Sequence, residues 1–245
     1  MVVSLALAGW VGIGETGDLR LPFAGTGPLV TNEYAYWNLH DPARVESPVW
    51  EVTSGSLFRQ DGHGWTGVPD AENPDAASGN GSGSAVFRLT SKRADFLNVA
   101  VSFDLQNEGL VSTDRTPPAA WDGVHLFLRY QDETSLYYAT VNRRDSTVAI
   151  KKKVPGGPSN GGTYHDLGEH AGYDVPYGAW QHVRATIEDE PSGAVAIRLY
   201  ADGRLLTEAV DDGVGGDPIR TAGRIGVRGD NCQFLLRNFV VSKPT

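Results

Sequence analysis

Short runs in which apolar and polar residues alternate recur along most of this chain, and they constrain its fold more than any other feature. Ala85–Leu89, Leu97–Leu105, Val124–Tyr130, Leu136–Arg143 and Thr147–Val154 have strand length and strand periodicity. So do Gln181–Ile187, Ala194–Tyr200, Arg224–Val227 and Phe234–Val241. Successive side chains of a strand point to opposite faces, so each run can bury one face and wet the other. Turn formers separate the runs at Gln131–Thr134, Arg144–Ser146, Glu190–Gly193 and Ala201–Gly203. No helical periodicity of useful length is present, and 30 Gly with 14 Pro in 245 residues would burden a helical bundle. The expected fold class is all-β, an antiparallel β-sandwich or jelly roll. A chain of this length buries an adequate core unaided, so residues 1–245 read as one domain with its core at roughly 28–241. The apolar start, Met1–Trp10, lacks the basic residues of a signal peptide and reads as a first strand.

Three segments are too long for simple turns: Pro69–Ser84, Asn107–Trp121 and Pro155–Gly162. Loops of this length in a compact domain tend to be functional, and on a sandwich they would wall a groove. Gly79–Gly83 has the glycines of a phosphate loop but no strand–helix context, and is read as a flexible loop.

Charge and composition remove several classes. With 21 Lys and Arg against 30 Asp and Glu, the net charge of −9 opposes nucleic-acid binding. No run of apolar residues is long enough to span a membrane as a helix. Cys232 is the sole cysteine, so no internal disulfide or multi-cysteine metal site can form. The histidines at 40, 63, 125, 165, 170 and 182 lack the spacing of a zinc site, and no metal ligands are assigned.

The segment 122–154 is the most informative. Pairing its first hairpin with Gln131 opposite Leu136 sets Arg129 against Tyr138, Phe127 against Thr140 and His125 against Asn142. Val124, Leu126, Leu128, Ala139 and Val141 then share the other face, a separation that a one-residue slip would destroy. Continuing the register sets Thr140 against Lys151, so Lys151 and Lys153 join the polar face. Between Val124 and Val154 six bases (Arg129, Arg143, Arg144 and Lys151–Lys153) face three acids (Asp132, Glu133 and Asp145). The region is therefore locally positive within an acidic chain and suited to an anionic ligand.

The chain resembles the concanavalin A-like lectin/glucanase superfamily. The residues that carry the resemblance are Trp50–Leu57, Gly123–Tyr130, Leu136–Tyr138, Tyr177–Arg184, Ala201–Gly203, Gly223–Arg228 and Arg237–Val241. It implies a carbohydrate-active protein and a jelly-roll fold, but no single activity, because such folds carry lectins, binding modules, hydrolases and lyases. The Glu-x-Asp-x-x-Glu string of laminarinase-type glucanases is absent. Of the jelly-roll alginate lyase motifs, only the histidine of Gly123-Val-His125 fits. The superfamily also implies a structural calcium near the last strand, where Asn238 stands in place of the usual Asp.

The polar face favours β-elimination on a uronate-containing polysaccharide. Removing the proton beside a carboxylate requires that its charge be neutralised and that an acid and a base be present. Arg129 and Asn142 are the expected neutralisers, with His125 and Tyr138 as base and acid. Arg144, Lys151 and Lys153 would hold neighbouring sugars, with Trp121 and Tyr164 as aromatic contacts. Two alternatives stand beside the lyase. One is a non-catalytic carbohydrate-binding module or lectin, with aromatic platforms among Trp65, Trp121 and Tyr164. The other is a glycoside hydrolase with loop carboxylates from Asp122, Asp166 or Glu169. An oligosaccharide or polysaccharide partner, a monomer and an extracellular location accompany these readings.

Overall fold

A computed structural model describes residues 18–25, 27–81 and 87–244. The first half of the chain forms β1 (Leu19–Arg20), β2 (Leu29–Asn32), a short helix α1 (Tyr34–Trp37), β3 (Trp50–Ser54), β4 (Ser56–Gln60), β5 (His63–Trp65), β6 (Phe87–Ser91) and β7 (Val99–Leu110). Next come β8 (Gly123–Asp132), β9 (Ser135–Arg143), β10 (Thr147–Ser159), β11 (Gly162–Asp166) and β12 (Ala171–Gly172). The chain ends with β13 (Trp180–Asp189), β14 (Val195–Ala201), β15 (Arg204–Asp211), β16 (Arg224–Asp230) and β17 (Cys232–Ser242). The expected first strand at Met1–Trp10 lies outside the described residues.

Two antiparallel sheets face each other, as the alternation requires. One runs β15-β14-β13-β7-β17-β5-β4-β2, with β1 beside β17. The other runs β11-β10-β9-β8-β16-β6-β3, with β12 beside β10. Strand β7 shows the logic: Val101, Phe103 and Leu105 are fully buried, whereas Ser102, Asp104 and Gln106 lie between them on the other face. Trp50, Phe87 and Leu126 of the facing sheet, with Phe234 and Phe239 of β17 beside β7, complete the core. Phe103 stacks on Phe239 with centroids 5.1 Å apart, and Trp50 meets Phe239 edge-on at the same separation. Such aromatic pairs add about 1 kcal/mol each beyond their area burial.

The β8–β9–β10 ladder keeps the expected faces with a shifted register. Phe127 pairs with Tyr138, His125 with Thr140 and Lys151 with Tyr138. The shift by an even number of residues preserves which side chains share a face. Bulges at both ends of the β8–β9 pairing produce the exceptions. Arg129 adopts a left-handed backbone, φ 44°. At the other end Asn142 pairs with Val124 and points into the sandwich, where its Oδ1 accepts from Gln181 Nε2 at 3.1 Å. Glycine is required at Gly123, where φ is 141° and a Cβ would lie 1.5 Å from the Asn142 carbonyl oxygen. Trp180 lies outside the core. It is half-buried on the outer face of the other sheet, with the Arg237 guanidinium 4.0 Å from its ring centroid.

Candidate functional site

The outer face of the β11–β3 sheet forms the floor of a groove of about 600 Å3. Its floor residues follow from the register: Tyr164 on β11, Lys151 and Lys153 on β10, Tyr138 and Arg143 on β9, and Arg228 with Asp230 on β16. All three long segments supply walls, although the third, expected as a loop, is built as the end of the β10–β11 hairpin. Asn80 and Gly81 come from the first, Arg115, Pro117 and Trp121 from the second, and Pro158 to Asn160 from the third. Arg115 ties two walls together, its Nη1 and Nη2 each donating at 3.1 Å to the carbonyls of Glu72 and Gly81. Among the described residues the lining carries Arg115, Arg143, Lys151, Lys153 and Arg228 against Asp122 and Asp230. A positive groove in a chain of charge −9 focuses anions on one place.

At the centre Arg228 and Asp230, two apart on β16, point the same way. Arg228 Nη2 donates to Asp230 Oδ1 at 2.8 Å, and Nε stands 2.8 Å from Oδ2 with poor alignment for a hydrogen bond. Burial opposes the Asp230 charge, but Arg228 and His125 outweigh it and hold the carboxyl at about 2. Burial likewise opposes the Arg228 cation, yet Asp230 keeps it fully protonated. Arg228 Nη1 then donates to the Tyr164 hydroxyl at 3.3 Å.

His125 lies under this pair and is 0% exposed. Its ring stacks on Tyr138 at 4.5 Å, and Nε2 is 3.2 Å from Asp230 Oδ2. Burial pushes the imidazole below its ordinary value. A fully enclosed ring cannot touch a ligand, so His125 positions Tyr138 and Asp230. Tyr138 itself lines the groove, and burial raises its phenol well above the usual range. It therefore stays protonated and can donate but not accept a proton at ordinary pH.

The Lys153 amine is perturbed in the opposite sense to Arg228. Burial, then the charges of Arg228 and Arg88, bring its amine down to about 8. Its Nζ donates to the Glu133 carbonyl at 2.6 Å and sits 5.0 Å from the Tyr164 ring centroid. Lys151 pairs with Asp166 at 3.0 Å, and Trp121, 57% exposed, stands at the rim.

Four residues expected here lie outside the lining. The bulge swings Arg129 to the edge of the sandwich, where it is 1% exposed. There Nε donates to the Leu97 carbonyl, Nη1 to Asp189 Oδ1 and the Ile219 carbonyl, and Nη2 to Asn98. Asn142 faces Gln181 in the interior. Arg144 lies beside the groove wall, its Nε 3.0 Å from Asp122 Oδ2, and is not in the lining. Trp65 lies tilted against Phe58 on the opposite sheet, centroids 5.5 Å apart. In their stead come Arg228, Asp230 and Arg143. The only sequence signal for the first two was their i, i+2 spacing on a strand, which pairs side chains on one face.

No described group of three His, Cys, Asp or Glu could hold a metal ion. Asn238 does not fit a calcium: its Nδ2 donates to Asp104 Oδ2 at 2.8 Å, and that carboxylate already meets His182 and Arg237.

No protein-family model matches the chain, and no curated protein matches it in sequence. Solved structures share its fold. Alginate lyase Aly36B superposes with TM-score 0.50 at 9% identity, covering 93% of this chain and 96% of that one. The metal-free carbohydrate-recognition domain of Emp46p gives 0.52 at 11% identity, over 80% and 88%. A glycoside hydrolase family protein from Mycobacterium thermorestibile gives 0.50 at 12% identity, over 88% and 97%. The protein is thus an antiparallel β-sandwich that shares its fold with these three structures. At these identities the likeness extends to the fold alone, so the chemistry must be argued from the groove.

Proposed function

We propose that the protein is a polysaccharide lyase that cleaves a uronate-containing polymer by β-elimination. The observation that carries this is the cationic groove floor, on which Lys153, brought down to about 8, and the protonated phenol of Tyr138 both flank Tyr164. Arg228 and Arg143 neutralise the carboxylate of the bound uronate, which makes the adjacent C–H acidic enough to lose. The neutral Lys153 amine takes that proton, the C–H electron pair becomes the new C=C bond, and the C–O bond to the next sugar breaks. Tyr138 delivers its proton to the departing oxygen. A proton passing from the Lys153 ammonium to the phenolate, directly or through water, restores both groups. The roles differ from those expected of the sequence, because His125 is enclosed and Arg129 and Asn142 lie outside the groove.

A second reading, a non-catalytic carbohydrate-binding protein, draws on Lys153 Nζ already donating to Glu133 and on the exposed Trp121 platform. A hydrolase draws less support. Asp122 is bonded to Arg144 and Asn231, while Asp230 and Asp166 are held low, Asp166 against its burial by His170 and Lys151. A general acid for glycoside hydrolysis needs a raised carboxyl instead. Incubation with uncharged and uronate polysaccharides, monitored for ultraviolet absorbance of the unsaturated uronate and for reducing ends, tests all three. Absorbance on a uronate polymer supports the lyase. Reducing ends alone favour the hydrolase, and binding without either leaves the binding protein.

A further inference from the structure

The groove sheet ends at β3, and beyond that edge α1 exposes an aromatic pair. Tyr36 and Trp37 are 43% and 58% exposed, with Leu39 beside them at 55%. Consecutive large apolar side chains left in water on a sandwich of this size mark a contact surface. The rings are held in place. Trp37 Nε1 donates at 2.6 Å to the Thr53 carbonyl of β3, and the Tyr36 ring meets it edge-on with centroids 4.5 Å apart. With its N–H satisfied by the backbone, the indole has only its apolar faces left to offer.

Contacts through the sheet connect the pair to the groove floor. Arg228 pairs across the sheet with Arg88, and Arg88 Nη1 lies 3.4 Å from Thr53 Oγ1, on the residue that anchors Trp37. Tyr130 stacks on Phe127 of the groove face at 5.3 Å, and the Tyr36 phenol is among the groups that raise the Tyr130 hydroxyl, after its burial. From β10 to β3 there are five strand spacings, roughly 24 Å, room for several sugar units laid across the strands.

We propose that Tyr36 and Trp37 form a distal subsite that stacks on a sugar ring of the same polysaccharide whose acidic units occupy the cationic groove. The ring pair carries no cation, so it contacts the C–H face of a sugar and adds affinity only for chains long enough to reach β3. The inference rests on the groove binding an acidic polysaccharide. It commits to the length of chain held, not to the chemistry performed.

The test is calorimetric binding of polyuronate di-, tetra- and octasaccharides to the full chain carrying Tyr138→Phe, which removes turnover from the measurement. Affinity is expected to rise from tetra- to octasaccharide. Adding Trp37→Ala should lower octasaccharide affinity about tenfold and leave the disaccharide unchanged, while Trp37→Phe retains most of the gain. Equal affinities with and without Trp37, or an equal loss at every length, would overturn the subsite while leaving the groove standing. Failure of all lengths to bind, in protein with an unchanged circular-dichroism spectrum, would overturn both.

Discussion

Lys152 and Lys153 are adjacent in the chain and nearly equally buried, yet they belong to different parts of the molecule. Lys152 points into the sandwich, where Nζ donates to Asp211 Oδ2 at 2.8 Å and to the Gly216 carbonyl at 2.7 Å. Tyr137 adds its hydroxyl to the same carboxylate oxygen at 2.6 Å and receives the Ile219 N–H at 3.0 Å. Every donor there has a protein acceptor, so the cluster pins the loop between β15 and β16 and has nothing left for a ligand. Lys153 faces the groove among like charges, with Arg228 and Arg88 pressing on it. Arg129 and Arg143 repeat the contrast. The first spends all three guanidinium nitrogens on the scaffold. The second binds Asp145 through Nε and Nη2 and keeps Nη1 without a partner among the described residues. A buried cation with its hydrogen bonds completed is architecture, whereas one left incomplete is available for recognition.

The sharpest way to break this division is on the groove side. Tyr138→Phe keeps the ring that stacks on His125 and removes only the hydroxyl, so turnover is expected to fall roughly 10²–10⁴-fold with oligosaccharide binding retained. Loss of binding in parallel would make Tyr138 part of the scaffold instead. On the interior side, Asp211→Ala strands the Lys152 charge and should cost about 3–5 kcal/mol in urea unfolding. A stable variant would mean that the cluster carries little of the fold. Arg129→Gln removes charge-assisted hydrogen bonds worth about 1.5–3 kcal/mol in stability. Turnover per folded molecule should be preserved, and a specific loss would return Arg129 to the chemistry.

The pH profile separates the two lysines more gently. If the Lys153 amine is the base, turnover rises as pH passes upward through about 8, and Lys153→Met abolishes that limb together with activity. The same shift has a sign for stability. The unfolded chain holds this proton more tightly than the folded one, so the Lys153 contribution improves from about 8 up to the ordinary lysine value of about 10.4. The smallest effect is expected at the rim, where Trp121→Ala should weaken polymer binding only about threefold, measured by the same calorimetry.

Much of this was legible in the sequence. Alternation named the strands and the sandwich, since burial of one sheet face imposes period two wherever it occurs. It also placed Tyr138, Lys151 and Lys153 on the polar side, because a register shift by two residues leaves faces unchanged. The three long segments foretold the groove walls, although the third is strand β10 turning into β11 and not a loop. Alternation cannot reveal a bulge, which adds a residue to one strand and inverts the facing of the side chains beyond it. That is why Arg129 and Asn142 left the face on which regular pairing had set them.

What the sequence by itself determined is the β-sandwich, the positive region of an acidic chain and the parity of its polar face. These depend on local periodicity and charge, which survive without knowledge of distant partners. Only the tertiary structure decided which cations face the groove. Arg228 meets the Tyr164 hydroxyl through strand pairings remote in sequence, and His125 became inaccessible when Tyr138 and Asp230 closed over it. Burial and hydrogen-bond completion are properties of the assembled neighbours, and they distinguish a site from a scaffold built of the same residue types.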